Sequence, residues 1–197
     1  MNSDWLRPLA KLKKLQVFEF AWSATDKQLQ TKDVVYLLSK IGPQLTELSI
    51  KGGRDLDDKF ITQGILKHCH NLKKLSLEQC GSLSSKTLEG LFKNWNNKGL
   101  TYLDIGRCLS LEDAVLWAII RHSGTTLKHL SIHSLEKLTS NGLEALGGGN
   151  IEISKNKFEN FTPCTELTYL DCGFVRAMDD FVLKKVVDNC TSLEKIH

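Results

Sequence analysis

One spacing dominates this sequence and leaves few folds open to it. The pattern Leu-x-x-Leu-x-Leu-x-x-Cys, with other apolar residues allowed, occurs as Leu72, Leu75, Leu77, Cys80 and as Leu100, Leu103, Ile105, Cys108. It returns as Leu127, Leu130, Ile132, Leu135 and as Leu167, Leu170, Cys172, Val175. Upstream it reads Leu45, Leu48, Ile50 with Gly53 in the last place. A looser copy opens with Leu15, Phe18 and Phe20, and a truncated one with Leu193 and Ile196. Successive first leucines lie 30, 27, 28, 27, 40 and 26 residues apart. Self-similarity at a fixed period of roughly 20–50 residues is the signature of stacked repeats.

A second register lies behind the first. Apolar residues recur eleven places after the first leucine (Leu56, Leu83, Leu111, Leu138, Met178) and sixteen places after it (Ile61, Leu88, Leu116, Leu143, Leu183). A further set stands three residues on, which is helical spacing. Each unit therefore reads as short strand, loop, helix and return. One unit cannot bury its own apolar face, whereas stacked units can. The expected fold class is α/β, a curved leucine-rich-repeat solenoid with parallel strands on the concave face and helices on the convex face. Residues 1–14 are expected to be an N-terminal helical cap or the end of a preceding repeat. Residues 15–197 are expected to be six repeats plus a truncated seventh strand. The step of 40 hides an insertion at about 147–163, opened by Gly147-Gly148-Gly149-Asn150, and is expected to form a surface loop.

The helix starts align across copies as Asp57-Asp58, Ser84-Ser85, Glu112-Asp113, Thr139-Ser140 and Asp179-Asp180. Paired carboxylates suggest acid–base chemistry when they stand alone. Here sister units put Ser-Ser or Thr-Ser in the same place, so these residues are expected to cap helices.

The 41% hydrophobic and 25% charged composition is that of a globular chain. No apolar run reaches the roughly 20 residues that span a bilayer, and Met1-Asn2-Ser3-Asp4-Trp5 does not begin a secretory signal. No membrane association is expected. A net charge of +3 is too weak to imply a nucleic acid partner, and acidic Glu47, Glu78, Asp104 and Asp171 dilute any basic stripe. The six cysteines fall on repeat positions as small buried hydrophobes. His68-Cys69-His70 has no partner pair at ligand spacing, so no metal is expected. No phosphate loop, nucleophile elbow or zinc-protease motif is present, so neither an enzyme nor a cofactor is expected.

Slots are numbered here from the first leucine of each unit. Strand alternation points slots three, five and seven away from the core. Slot three holds Lys74, Tyr102, His129 and Tyr169; slot five holds Ser76, Asp104 and Ser131; slot seven holds Gly106 and His133. Slot eight, at the lip, holds Trp22, Arg107 and Phe174, with Arg176 close by. Tyr, Trp and Arg dominate interface energetics. The expected partner-binding surface is the concave face and lip: Trp22, Lys74, Tyr102, Asp104, Arg107, His129, His133, Tyr169, Phe174 and Arg176.

The cysteine-ending unit is similar to the cysteine-containing leucine-rich repeats of F-box substrate receptors. Residues 37–64, 107–116 (RCLSLEDAVL), 134–139 (SLEKLT) and above all 167–183 (LTYLDCGFVRAMDDFVL) resemble the C-terminal repeats of the fungal Rad-seven family of global-genome nucleotide excision repair. That resemblance implies a nuclear, non-catalytic scaffold, monomeric within a hetero-complex. The partners it implies are a RING-bearing helicase-like ATPase, an elongin-C and cullin ubiquitin ligase, and the damage-recognition factor. Direct DNA contact is the less favoured reading. The alternative is an F-box-type receptor of another ligase. The chain stops inside a strand motif, at Lys195-Ile196-His197, and so reads as a fragment of a longer protein. The insertion departs from the resemblance.

Overall fold

Leucines alternating with polar residues over a few positions make short strands, and a helical return brings each next strand back in the same direction. In a computed structural model, residues 6–21, 30–97 and 99–197 of the chain are described. Strands β1 (Val17–Ala21), β2 (Glu47–Lys51), β3 (Lys74–Ser76), β4 (Tyr102–Asp104) and β5 (His129–Ser131) are followed by a separate antiparallel pair, β6 (Gly149–Ser154) and β7 (Lys157–Phe161). Strands β8 (Tyr169–Asp171) and β9 (Lys195–Ile196) complete the chain. The order β1-β2-β3-β4-β5-β8-β9 forms one seven-stranded sheet with every neighbouring pair parallel. Equivalent slots pair across it, Leu48 with Leu75, then Leu103, Leu130 and Leu170.

The returns are α1 (Leu6–Leu9), α2 (Thr31–Ile41), α3 (Leu66–His68), α4 (Ser85–Asn94), α5 (Asp113–Ser123), α6 (Ser140–Glu144) and α7 (Asp180–Asn189). A π-helical turn, Phe60–Ile65, leads into α3. Among the described residues no helix is long and apolar enough to cross a membrane. The leucines of slots one, four and six fill one core between sheet and helices; Leu72, Leu75 and Leu77 are typical, and fully buried. Each is worth about 1.5–3 kcal/mol over exposure.

The six cysteines are free and buried. Cys80 Sγ donates to the Ile50 carbonyl (3.3 Å) and Cys108 Sγ to that of Leu77 (3.1 Å), each reaching back one unit. Burial pushes the Cys69, Cys80, Cys108 and Cys164 thiols up to about 12, so they stay protonated.

Past each strand the chain turns in the same way. The slot-nine N–H donates to the slot-six carbonyl, as in Cys80 to Leu77 (3.1 Å) and Leu135 to Ile132 (3.2 Å). Slot eight sits in the left-handed region in five units: Gly52 (φ 73°), Gln79 (61°), Arg107 (58°), Ser134 (59°) and Phe174 (61°). Four of these are not glycine, and such a conformation is disfavoured for a side chain. From Gly52 to Ser134 the turn holds it because the slot-eight N–H donates to the next unit's slot-seven carbonyl, as from Arg107 to His133 (2.9 Å) and Ser134 to Gly173 (2.8 Å).

The helix starts divide their work between two units. Ser84 and Asp179 cap their own helices, accepting from the N–H of Thr87 (3.2 Å) and Val182 (2.9 Å). Glu112 and Thr139 make no such side-chain bond. Asp58 instead accepts from Ser84 N–H (2.9 Å) and Oγ (2.7 Å), and Asp113 accepts from Thr139 N–H (2.8 Å) and Oγ1 (2.5 Å). These first-turn acids tie one unit to the next, a role that capping within a helix does not describe.

The insertion is not the loop expected of it. Residues 149–161 form the β6–β7 hairpin, entered through Gly148 (φ 74°) and Gly149 (φ 94°), where a side chain is disfavoured. Ile151 and Phe161 are buried. Arg121 of α5 stands over the Phe161 ring at 5.0 Å and grips Glu159 with Nε and Nη2. An isolated hairpin is marginal in water, and packing on α5 supplies what this one lacks.

Candidate functional site

The helices cover one side of the parallel sheet, and slots three, five and seven occupy the other. Because equivalent slots pair, slot three becomes a continuous row: Glu47, Lys74, Tyr102, His129, Tyr169, Lys195. Lys74 Nζ bonds Glu47 Oε2 at 3.1 Å and lies 5.8 Å from the centre of the Tyr102 ring. The Tyr102 and His129 rings stack at 4.0 Å and 12°, and those of His129 and Tyr169 at 4.1 Å and 4°. Lys195 Nζ closes the row 5.5 Å from the Tyr169 ring. Burial, reinforced by the Lys74 charge and opposed by that of Asp171, holds the His129 imidazole below its ordinary 6.5. It is neutral at neutral pH, as a ring between two phenols should be. Burial, with Asp104 nearby, pushes the Tyr102 phenol up, so its hydroxyl keeps its proton.

This packing decides what the row offers. Both faces of His129 are covered, and the outer faces of the tyrosines meet lysines. The row presents ring edges, hydroxyls and two ammonium groups. Base stacking on aromatic faces, the means by which sheets hold single strands, has no free platform within it.

Slot five lies beneath. Ser76, Asp104 and Ser131 are only 4%, 5% and 5% exposed. Asp104 was expected on the open partner-binding surface. It is covered instead, because the larger side chains of slots three and seven close over slot five. Asp104 accepts from Ser76 Oγ (3.1 Å) and Gly106 N–H (3.1 Å); Asp171 accepts from Ser131 Oγ (3.2 Å) and Gly173 N–H (3.1 Å). Burial and the Glu78 charge raise Asp104 above the usual carboxylate range, although its hydrogen bonds and Lys51 pull the other way. Its role is to hold the turn. At one end a hollow of about 150 Å³ remains between Lys51, Lys74 and Tyr102, over half-buried Ser49.

Slot seven carries a charge cluster. Lys51 Nζ pairs with Glu78 (3.1 Å) and approaches Asp104 (3.8 Å), and His133 Nε2 lies 3.5 Å from Glu78 Oε1. Burial would push Glu78 up, but hydrogen bonds and charge from Lys51 and His133 hold it below the usual range. His133 reaches Glu78 across Gly106, where a Cβ would stand 2.2 Å from its ring.

Of the expected residues, Lys74, Tyr102, His129 and Tyr169 are brought together, and His133 joins the adjacent cluster. Arg107, Phe174 and Arg176 are exposed on the turns beyond the strands, a separate surface. Trp22 lies outside the described residues. Glu47, Lys51, Glu78 and Lys195 were not singled out; the signal was available, since each occupies slot three or seven of its unit. The second signal was Asp-x-Gly, at 104–106 and 171–173.

Fold and surface together define a mixed α/β repeat protein whose leucine-bearing strands stack in one parallel sheet. No family model matches the chain. It is 28% identical over 175 residues to DNA repair protein RAD7 of Saccharomyces cerevisiae, spanning 87% of this chain and 28% of that protein. It is 30% identical over 164 residues to DNA repair protein rhp7 of Schizosaccharomyces pombe, spanning 83% of this chain and 27% of that protein. A crystal structure of the yeast Rad7 and Elc1 complex matches with a TM-score of 0.74 at 28% identity, over 85% of this chain and 39% of the solved one. Rad7 and rhp7 are homologues of this chain over most of its length. The chain spans less than a third of those two relatives.

Proposed function

We propose that the chain is the partner-holding part of a nucleotide-excision-repair complex. Residues 15–197 are its leucine-rich repeats, a solenoid curved with the strands inside and the helices outside, and it performs no reaction. The observation that carries the reading is the slot-three row: six aligned side chains from neighbouring strands, closed to base stacking and centred on two tyrosines, a residue type that anchors protein interfaces. The two DNA repair relatives supply the setting, and the Rad7–Elc1 structure supports elongin-C as a partner. On this reading the protein works in the nucleus, as one copy in a hetero-complex that also holds a RING-bearing helicase-like ATPase, a cullin ligase and the damage-recognition factor. Direct DNA binding is not part of it.

The test is affinity purification of the tagged chain from nuclei of ultraviolet-treated cells, beside a Tyr102→Ala/Tyr169→Ala variant. The expected result is recovery of the ATPase and the damage-recognition factor, reduced about tenfold or more in the variant, as for loss of two interface anchors. Recovery of a different ligase adaptor without the ATPase would favour the F-box-type receptor. Undiminished recovery by the variant would remove the row from the interface.

A further inference from the structure

We propose a second docking surface, at the lip formed by the turns after the strands: a groove that takes an extended acidic segment of a protein partner carrying a neighbouring apolar side chain. This rests on the reading of the chain as a scaffold and adds the chemistry of one partner segment. The groove encloses about 540 Å³ between Arg54, Gln79, Ser82, Arg107, Leu109 and Ser134, drawn from four consecutive units. Its lining holds two guanidinium groups and no carboxylate. Gly81 leaves it open, since a Cβ there would meet nothing within 4 Å. Leu109 on its wall is 56% exposed.

Phe174 continues the lip in the sixth unit, next to Ser134, whose N–H donates to the Gly173 carbonyl at 2.8 Å. It is 87% exposed and holds a left-handed φ of 61°. A bulky residue in that conformation is an outlier, and here no packing compensates it. Neither backbone preference nor the core accounts for a phenylalanine at this position; a partner's apolar side chain would. Arg176 stands two residues further along the same turn.

The walls are preformed. Ser82 Oγ donates to the Arg54 carbonyl, Ser110 Oγ to that of Leu83 (2.5 Å), and Gln79 N–H to that of Gly106 (2.9 Å). Guanidinium forks match carboxylates in geometry as well as charge. Arg54, Arg107 and Arg176 alternate with exposed Leu109 and Phe174 along the turns. A phosphate backbone would meet apolar surface between its contacts, whereas a peptide that is both acidic and apolar finds a complement to each.

The experiment is selection of a displayed library of random twelve-residue peptides on the full chain. Affinities of the enriched peptides are then measured by fluorescence anisotropy. Enriched peptides are expected to carry Asp or Glu within two positions of an aromatic or aliphatic residue. Arg54→Glu/Arg107→Glu should weaken them about tenfold or more. Phe174→Gly should weaken them several-fold without lowering the thermal midpoint, because glycine suits the left-handed turn. Enrichment of no common motif, or of one the double variant binds equally well, would overturn the proposal. So would tighter binding of a fluorescein-labelled DNA duplex with a steep salt slope lost in the same variant. The Tyr102→Ala/Tyr169→Ala variant separates this proposal from the previous one, since its loss of partners should leave peptide affinity intact.

Discussion

At the scale of single residues, neighbours decide what alternation alone does not. Period-two spacing correctly sends Tyr102, His129 and Tyr169 away from the core, yet it sends Asp104 the same way, where two aligned rows close over it. Whether an outward residue is open depends on side chains that arrive from adjacent units, and one strand's sequence does not contain them. Cross-strand aromatic pairs contribute roughly 0.2–1 kcal/mol each. Tyr102→Ala/Tyr169→Ala should therefore destabilise the chain by about 1–2 kcal/mol in urea, a modest cost beside its effect on binding. A loss several times larger would make the row structural. Gly106 gives a sharper case. A methyl group there collides with the His133 ring, which can swing away only by leaving Glu78. Gly106→Ala is expected to cost about 1 kcal/mol, and close to nothing in a His133→Ala background. Equal costs in both backgrounds would contradict this reading of the contact.

At the scale of elements, strands and most helix starts were legible because six copies repeat the same offsets. The hairpin was not: its Gly run reads as a break, and its alternation, Ile151-Glu152-Ile153-Ser154, spans too few residues to stand out. What turns it into ordered structure is Arg121 and Trp117 on α5, distant in sequence. The links between helix starts were equally hidden, since Asp58 and Asp113 look like caps but serve the next unit. Asp113→Ala leaves Thr139 N–H and Oγ1 without their acceptor and should cost about 1–3 kcal/mol. Asp180→Ala, at the same position in α7, should cost less, because among the described residues no helix start follows α7 to bond its carboxylate. Urea denaturation compares them; an equal or larger loss at Asp180 would count against the inter-unit link.

For the whole molecule, three histidines bear on stability in the same direction. Burial holds His68, His122 and His129 below the ordinary value of 6.5. His122 stacks on Trp95 at 5.6 Å, with Nε2 3.1 Å from the Trp95 carbonyl. A group with a lowered folded pKa takes up protons more readily when unfolded. Stability from the neutral rings is therefore fully present above 6.5 and declines as pH falls through that value toward the folded pKa. The thermal midpoint should drop between pH 7.5 and 5.5, and drop less in His122→Gln. A midpoint that rises over that interval would refute the linkage.

We propose above that the strand-lined side of the sheet holds the protein partner. Hydroxyl-radical footprinting reads this directly, on the chain alone and bound to the RING-bearing ATPase. The claim predicts that oxidation of Tyr102, His129 and Tyr169 falls on binding. Exposed Tyr36 and Phe181 on the helical side and Phe158 on the hairpin should react as before. Protection of Tyr36, Phe158 or Phe181 with the three stacked rings unchanged would contradict it.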